Sequence, residues 1–219
     1  MKRENRRNLC RSVLFLLAFG LWTAAVMRFD LAPIGPQNTS VGFAALNGYI
    51  HALTGVHMAL YHVTDWLSLL PLAIAAGFAL MGLLQWVRRK RLWSVDRSIL
   101  ALGACYAVMV MAYAGFEAAA VNFRPVLIDG RLETSDPSST TLLVLCVMPT
   151  AVMELRRRIT DGALRRGVSF AMTTFAALMV LCRFLSGVHW CSDIVGGALL
   201  SAGLVELYRY MCGGTDGRI

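Results

Sequence analysis

Three residues near the carboxyl end of the chain have the types and the spacing of a nucleophilic site. His189 follows Arg183 by six residues, and Asp193 follows His189 by four. On a helix that begins near His189, positions i and i+4 share a face, so the Asp193 carboxylate can accept a hydrogen bond from one imidazole nitrogen. The other nitrogen then stays unprotonated, as attack on phosphorus requires, and the carboxylate stabilises the resulting cation. A structural His–Asp pair and a helix cap by Asp193 are the alternatives.

Two further segments carry groups that bind anions. Arg124 precedes a proline at the end of an apolar run, where its guanidinium could contact phosphate oxygens bidentately. Ser138, Ser139 and Thr140 follow a proline at the start of another run, and hydroxyls at a helix N-terminus attract phosphate. Taken singly, the arginine is typical of a side chain that reaches the membrane interface, and the hydroxyl segment is typical of a helix cap. Together with the histidine they predict one anion site.

The composition indicates the environment in which this chemistry would take place. Of 219 residues, 57% are hydrophobic and only 16% are charged, which is too apolar for an ordinary soluble domain. A soluble nucleic-acid binder, which the net charge of +8 would otherwise suggest, needs its basic residues on an exposed polar face. We therefore predict membrane lipids and no nucleic acid as partners. Neither the cysteines nor the histidines have metal-ligand spacing, so no metal and no cofactor are predicted.

Long uncharged runs alternate with blocks of basic residues along the chain. A helix needs about 20 apolar residues to cross a hydrocarbon core, with about 17 as the lower limit, and six runs meet this requirement when their flanks are included. We predict an all-α fold, a polytopic membrane bundle of six transmembrane helices forming one membrane-embedded domain over residues 1–219. The runs are 12–27, 66–87, 98–116, 138–153, 167–182 and the segment after Asp193.

The basic blocks predict how the bundle is oriented. They occupy residues 2–11, 88–97 and 156–166, and Arg209 and Arg218 lie near the end of the chain. Lys and Arg in short loops stay on the cytoplasmic side of a membrane. Both termini are therefore predicted to be cytoplasmic, and the loops that carry the candidate site are predicted to be extracytoplasmic.

The apolar stretch of residues 31–64 must then not cross the membrane, because a crossing would put the first two basic blocks on opposite sides. We predict an outer-face interfacial helix between the first two spans, with Asn47 and His51 on one face and Leu46 and Ile50 on another. A buried re-entrant segment is the alternative. The first span also resembles a signal peptide, but its removal would leave five spans, so an uncleaved anchor is predicted.

These motifs resemble those of the type-2 phosphatidic acid phosphatase superfamily, a family of membrane lipid phosphatases with the patterns K-x6-R-P, P-S-G-H and S-R-x5-H-x3-D. The third pattern is matched at Arg183, His189 and Asp193, the first at Arg124 and the second at Ser138. The resemblance implies that His189 is the nucleophile, that Asp193 is its partner, and that both arginines and Ser138 bind the phosphate. The similar part of the chain is about residues 60–210.

Four positions depart from the family patterns. Glu117 stands in place of the lysine, Ser139 in place of the glycine, Thr140 in place of the histidine and Cys182 in place of the serine. The Pro-Ser-Ser-Thr element indicates a variant branch in which Ser139 and Thr140 help to bind the phosphate. Glu117 is interpreted as an accessory group that pairs with an arginine or carries a proton. The leaving-group proton could also come from one of four other residues: His57, His62, Glu133 or Asp136.

The sequence thus favours a membrane phosphatase that hydrolyses a lipid phosphate or lipid pyrophosphate at the extracytoplasmic face through a phosphohistidine on His189. Phosphatidic acid, phosphatidylglycerol phosphate and an isoprenoid pyrophosphate all fit, and a phosphotransferase differs only in the acceptor hydroxyl. The alternative from another class is a non-catalytic lipid-phosphate binding or carrier protein with a degenerate phosphatase site. A purely structural membrane subunit is a third hypothesis. The sequence predicts no oligomeric state.

Overall fold

The fold is built from helices that run up and down a bundle. The structure, a computed structural model, describes residues 2–213, so Arg218 of the last basic block lies outside the described residues. The helices are α1 (Lys2–Val26), α2 (Ala44–Thr54), α3 (Met58–Leu67), α4 (Leu69–Arg89), α5 (Arg97–Ala119), α6 (Ser139–Arg158), α7 (Gly162–Leu185) and α8 (Cys191–Cys212). This confirms the predicted all-α class.

Six helical segments of the described chain are long and apolar enough to cross a membrane, as predicted. They are α1, α3 joined to α4, α5, α6, α7 and α8. The second segment, Met58–Arg89, begins eight residues before the predicted start at Trp66. The predicted span began only after Asp65 because a carboxylate is unfavourable in an apolar span. In the fold this carboxylate lies 3.7 Å from Arg183, which offsets its charge.

Helix α2 has eleven residues, fewer than a crossing requires. Its polar face points inward, because the side-chain amide of Asn47 is buried and donates to the Gly42 carbonyl at 2.7 Å and to Ser192 Oγ at 2.9 Å. Leu46 and Leu53, on the other side of the helix, are exposed. Helix α2 therefore covers the beginning of α8 and presents leucines outward, as a helix at a membrane surface does.

Helix α8 lies at the centre of the bundle and packs against α1, α5 and α6. Small residues allow the close approach. A Cβ atom at Gly203 would lie 2.6 Å from a methyl carbon of Leu16 on α1, and one at Gly197 would lie 3.2 Å from the Ser138 carbonyl. Ser12 Oγ on α1 also donates to the Gly203 carbonyl at 2.9 Å. Small residues and hydroxyl hydrogen bonds are typical of helix contacts in membranes.

The two ends of the bundle differ in chemistry. One end, which we call the basic end, holds the start of α1, the α4–α5 and α6–α7 connections and the end of α8. A network there ties α4, α5, α6 and α8 together around the buried Glu154, which accepts from Tyr208 Oη, from Ser98 Oγ at 3.2 Å and from Arg158 at 3.1 Å. Arg158 also lies 3.5 Å from Asp96. The opposite end, the site end, carries the segments 27–57, 120–138 and 186–190.

Candidate active site

The loop that carries His189 is fixed by a close backbone contact. Helix α7 ends at Leu185, and Gly187 follows with a φ of +65°, a conformation that favours glycine. A Cβ atom at Gly187 would lie 1.9 Å from the carbonyl oxygen of Gly55, so only glycine fits against this turn. The backbone N–H of His57 donates to the Ser186 carbonyl at 2.9 Å. The α2–α3 turn and the α7–α8 loop therefore hold each other in place.

Asp193 both faces the imidazole of His189 and caps α8, so the partner and the cap predicted as alternatives coexist. Its Oδ2 lies 3.8 Å from His189 Nδ1, which is longer than a hydrogen bond, because the same oxygen accepts from the Trp190 backbone N–H at 2.9 Å. The other oxygen accepts from Asn122 Nδ2 at 3.1 Å. The carboxylate is thus held on both sides and faces the ring across a short gap.

Arg124 contacts the other nitrogen of the same imidazole. Its Nη1 lies 3.1 Å from His189 Nε2. A guanidinium can only donate, so Nε2 is the acceptor and the ring proton belongs on Nδ1, toward Asp193. The pKa of His189 is lowered to about 4, chiefly by burial of the ring and to a smaller extent by Arg124, whereas Asp193 opposes the shift. At neutral pH the ring is therefore neutral, with a lone pair available on Nε2.

Arg183 is the second guanidinium of the site, and its side chain is only 2% exposed. Its Nη2 donates to Thr140 Oγ1, which brings the start of α6 to the end of α7. Its Nε and Nη1 are buried and have no hydrogen-bond partner among residues 2–213. Buried guanidinium N–H groups normally have partners. This arginine is not one that reaches out to the interface, and two of its buried donors lack partners in the described part of the chain.

Tyr61 connects the two arginines. The guanidinium carbons of Arg124 and Arg183 lie 5.9 Å and 5.0 Å from the centroid of its ring. These distances are within the range of cation–π attraction. The ring therefore keeps two like charges on one site although they repel each other, and it places the second guanidinium close to the histidine that the first one contacts.

Each guanidinium also has a carboxylate at its outer side. Glu133 Oε2 lies 3.0 Å from Arg124 Nε, and Asp65 Oδ1 lies 3.7 Å from Arg183 Nη2. The carboxylate side chains are 40% and 61% exposed, so they stand between the buried arginines and the surroundings. Neither Tyr61 nor Asp65 was predicted from the sequence as a site residue. The signal available for Asp65 was its position as a single acidic residue between two apolar runs, where a charge is unfavourable without a function.

The remaining predicted residues occupy different positions. Ser138 is buried at the start of α6, where its backbone N–H donates to the Asp193 carbonyl at 3.1 Å. Ser139 lines an apolar cavity of about 220 Å³ between α4, α5 and α6. Glu117 is exposed on α5 and interacts with Tyr113 one turn earlier, whereas Arg124 pairs with Glu133. Ser138 therefore joins the two motif segments, and the phosphate-binding roles of the serines remain predictions.

Asp136, one of the residues named as an alternative proton donor, is buried beside the site. Neither carboxylate oxygen has a hydrogen-bond partner among the described residues, and Oδ1 lies 3.0 Å from where a Cβ of Gly196 would be. Burial and the nearby charge of Asp193 raise the pKa of Asp136 to about 8. The shift favours the protonated side chain, which avoids a second negative charge near Asp193.

Comparison with known proteins identifies the architecture. No protein-family model and no curated protein sequence matches the chain. A solved structure does match, a transmembrane PAP2 type phosphatidylglycerolphosphate phosphatase from Bacillus subtilis, with a TM-score of 0.66 over 95% of this chain and 99% of that one. The protein has the PAP2 fold. Because the sequences are only 17% identical, the likeness establishes the PAP2 fold and does not establish the chemistry, which must be argued from the site residues.

The PAP2 fold of this chain offers the site no group of metal ligands within residues 2–213. There, no cluster of three or more His, Cys, Asp or Glu side chains could hold a metal ion. The chemistry of the site is instead that of a neutral imidazole and two guanidinium groups. Such a set can bind a phosphate dianion and attack its phosphorus atom.

Proposed function

We propose that this protein is a membrane phosphatase that hydrolyses a lipid phosphate or lipid pyrophosphate through a phosphohistidine on His189. One observation carries the proposal. Two buried guanidinium groups lie at the ring of Tyr61. Arg183 has N–H groups without partners among the described residues, and Arg124 contacts Nε2 of His189, which carries the lone pair of the imidazole. A bound phosphate would satisfy these donors and displace Arg124 from Nε2.

The first chemical step follows from the tautomer of the ring. The lone pair on His189 Nε2 attacks phosphorus, the P–N bond forms, and the P–O bond to the lipid breaks with its electron pair on the lipid oxygen. The proton on Nδ1 stays beside Asp193, which stabilises the cationic ring. Arg124 and Arg183 stabilise the charge that develops on the equatorial oxygens. A pyrophosphate is the easiest substrate for this step because its leaving group needs no proton.

The apolar cavity beside the site supports a lipid substrate. It is lined by Leu72, Met109, Leu142 and Leu143 and reaches Ser139, the residue next to Thr140. Thr140 contacts Arg183, so the residue next to the cavity lining belongs to the arginine site. An acyl or isoprenyl chain would fit here with its phosphate at the arginines. The basic end of the bundle favours a cytoplasmic position for both termini and an extracytoplasmic position for the site.

The test is phosphate release by the purified full-length protein from phosphatidic acid, phosphatidylglycerol phosphate and farnesyl pyrophosphate. We expect turnover of at least one of them, an acid-labile phosphoprotein, and a loss of about 10³-fold or more in His189→Ala. Arg124→Ala with Arg183→Ala should abolish both turnover and binding. Arg131 is an exposed arginine in the same loop as Arg124. Arg131→Ala therefore serves as the control and should retain both turnover and binding.

A carrier or binding protein without catalysis is the second candidate, favoured by Thr140 at the position where the family patterns have a histidine. It predicts that a lipid phosphate binds in an arginine-dependent manner and that His189→Ala leaves binding unchanged. Binding of all three lipids without any phosphate release would contradict the phosphatase proposal. A structural subunit predicts no binding at all.

A further inference from the structure

Hydrolysis of a phosphohistidine requires a second group that the first step does not use. Water must attack phosphorus from the side opposite Nε2 of His189 and must lose a proton as it does so. Arg124 and Arg183 are permanent cations, and the Thr140 hydroxyl is a poor base. Among the described residues that contact the two arginines, only Asp65 and Glu133 could take this proton.

The positions of these two carboxylates differ with respect to the nucleophile. Glu133 pairs with Arg124, the arginine that contacts Nε2 of His189. Asp65 pairs with Arg183, and it shares the single nitrogen Nη2 with Thr140. Asp65 therefore accompanies the guanidinium that leaves Nε2 free, which suits a group that activates water rather than one that assists the nucleophile.

The helix that carries Asp65 orients it toward the site. Tyr61 and Asp65 are four residues apart on α3 and share one face, and both contact the guanidinium of Arg183. The contact between Asp65 and Arg183 spans 3.7 Å, and the side chain is 61% exposed, so water reaches it. The contact between Glu133 and Arg124 is closer, at 3.0 Å, and its side chain is less exposed.

From this arrangement we infer that Asp65 is the general base of the dephosphorylation step, an inference that rests on the proposed phosphatase function. Asp65 takes a proton from water while the water oxygen forms a bond to phosphorus. The P–Nε2 bond breaks, and its electron pair returns to the imidazole of His189. Inorganic phosphate leaves, and the proton on Asp65 passes to solvent. Arg183 pairs with the carboxylate and keeps it close to the phosphate.

The experiment measures the two half-reactions separately with ³²P-labelled farnesyl pyrophosphate, or with whichever of the three lipids the wild-type protein turns over fastest. We expect Asp65→Asn to form phosphoenzyme within about threefold of the wild-type rate. Its decay should slow by about 10² to 10⁴-fold, so that close to one acid-labile phosphate per chain accumulates. Glu133→Gln is the matched control and should not accumulate the phosphoenzyme.

A second variant separates a base from a side chain that only positions Arg183. In Asp65→Ala, added formate should restore part of the decay rate, because a small carboxylate can replace the base but not the ion pair. Equal slowing of formation and decay in Asp65→Asn, or no rescue by formate, would overturn the inference and leave the phosphatase proposal intact. A wild-type protein inactive on every lipid would overturn both.

Discussion

At the scale of single residues, the properties of His189 come from its surroundings rather than from its type. An imidazole in water has a pKa of about 6.5. The pKa of His189 is about 4, because burial and, to a smaller extent, Arg124 lower it and Asp193 counteracts the shift without reversing it. Between these two pH values an unfolded chain binds a proton that the folded one excludes. Stability therefore falls as the pH drops from about 6.5 to about 4.

A direct titration checks this assignment. In a sample with ¹³C-labelled histidine, the imidazole signal that disappears in His189→Ala should show no titration near pH 6.5 and should move only below about pH 5. Arg124→Gln removes one of the causes that lower the pKa, so the midpoint should shift upward. A titration midpoint at pH 6.5 or above in the wild-type protein would contradict the assignment of His189 as a neutral, buried imidazole that contacts Arg124.

At the scale of elements, the site depends on how the α2–α3 turn meets the α7–α8 loop. The contact of Gly187 with the Gly55 carbonyl and the hydrogen bond from His57 to Ser186 join two segments about 130 residues apart in sequence. Helix α3 starts from this turn, so its Tyr61 and Asp65 are placed by it. The loop starts from the same contact and carries His189. One backbone contact therefore positions both Asp65 and the imidazole of His189.

Gly187→Ala tests this contact. The added methyl group meets a carbonyl oxygen at 1.9 Å, so we expect a large fall in melting temperature and a loss of phosphate release. Gly130→Ala is the matched control, since Gly130 also has a positive φ, of +74°, but has open space where the methyl group would be. Gly130→Ala should lower the free energy of unfolding only by the cost of a positive φ for a residue with a Cβ, roughly 1 to 2 kcal/mol. Equal effects of the two substitutions would show that the contact is unimportant.

At the scale of the whole molecule, the basic loops and the candidate site lie at opposite ends of the bundle. The basic blocks and the Glu154 network lie at one end, whereas the histidine and the two site arginines lie at the other. Six crossings return the chain to its starting side, so this separation is compatible with basic loops on the cytoplasmic side. The substrate would then be a lipid whose phosphate is exposed in the outer leaflet.

Cysteine labelling in intact cells tests this orientation. Lys90 and Arg131 are both exposed, the first at the basic end and the second in the loop between α5 and α6. In a chain whose native cysteines are replaced, a membrane-impermeant maleimide should label Arg131→Cys and should label Lys90→Cys only after the membrane is opened. Labelling in the reverse order would place the site on the cytoplasmic side and would contradict the charge rule.

The sequence by itself determined the six spans and the spacing of the His189–Asp193 segment. Length and polarity decide whether a run of residues can cross a hydrocarbon core, and both can be read without knowing the packing. The spacing of His189 and Asp193 also needs no tertiary information, because four residues of helix fix it. The second span was predicted to begin only after Asp65, whose charge is offset by its partner Arg183 on another helix.

Only the tertiary structure decided which groups complete the site. The Tyr61 ring between two arginines, the carboxylate of Asp65 and the pairing of Arg124 with Glu133 instead of Glu117 depend on packing between different segments of the chain. The Asp193 carboxylate also accepts from Asn122, 71 residues away in sequence. Helix periodicity fixes neighbours within one element. Neighbours from different helices are fixed by close packing of side chains, which no local pattern encodes.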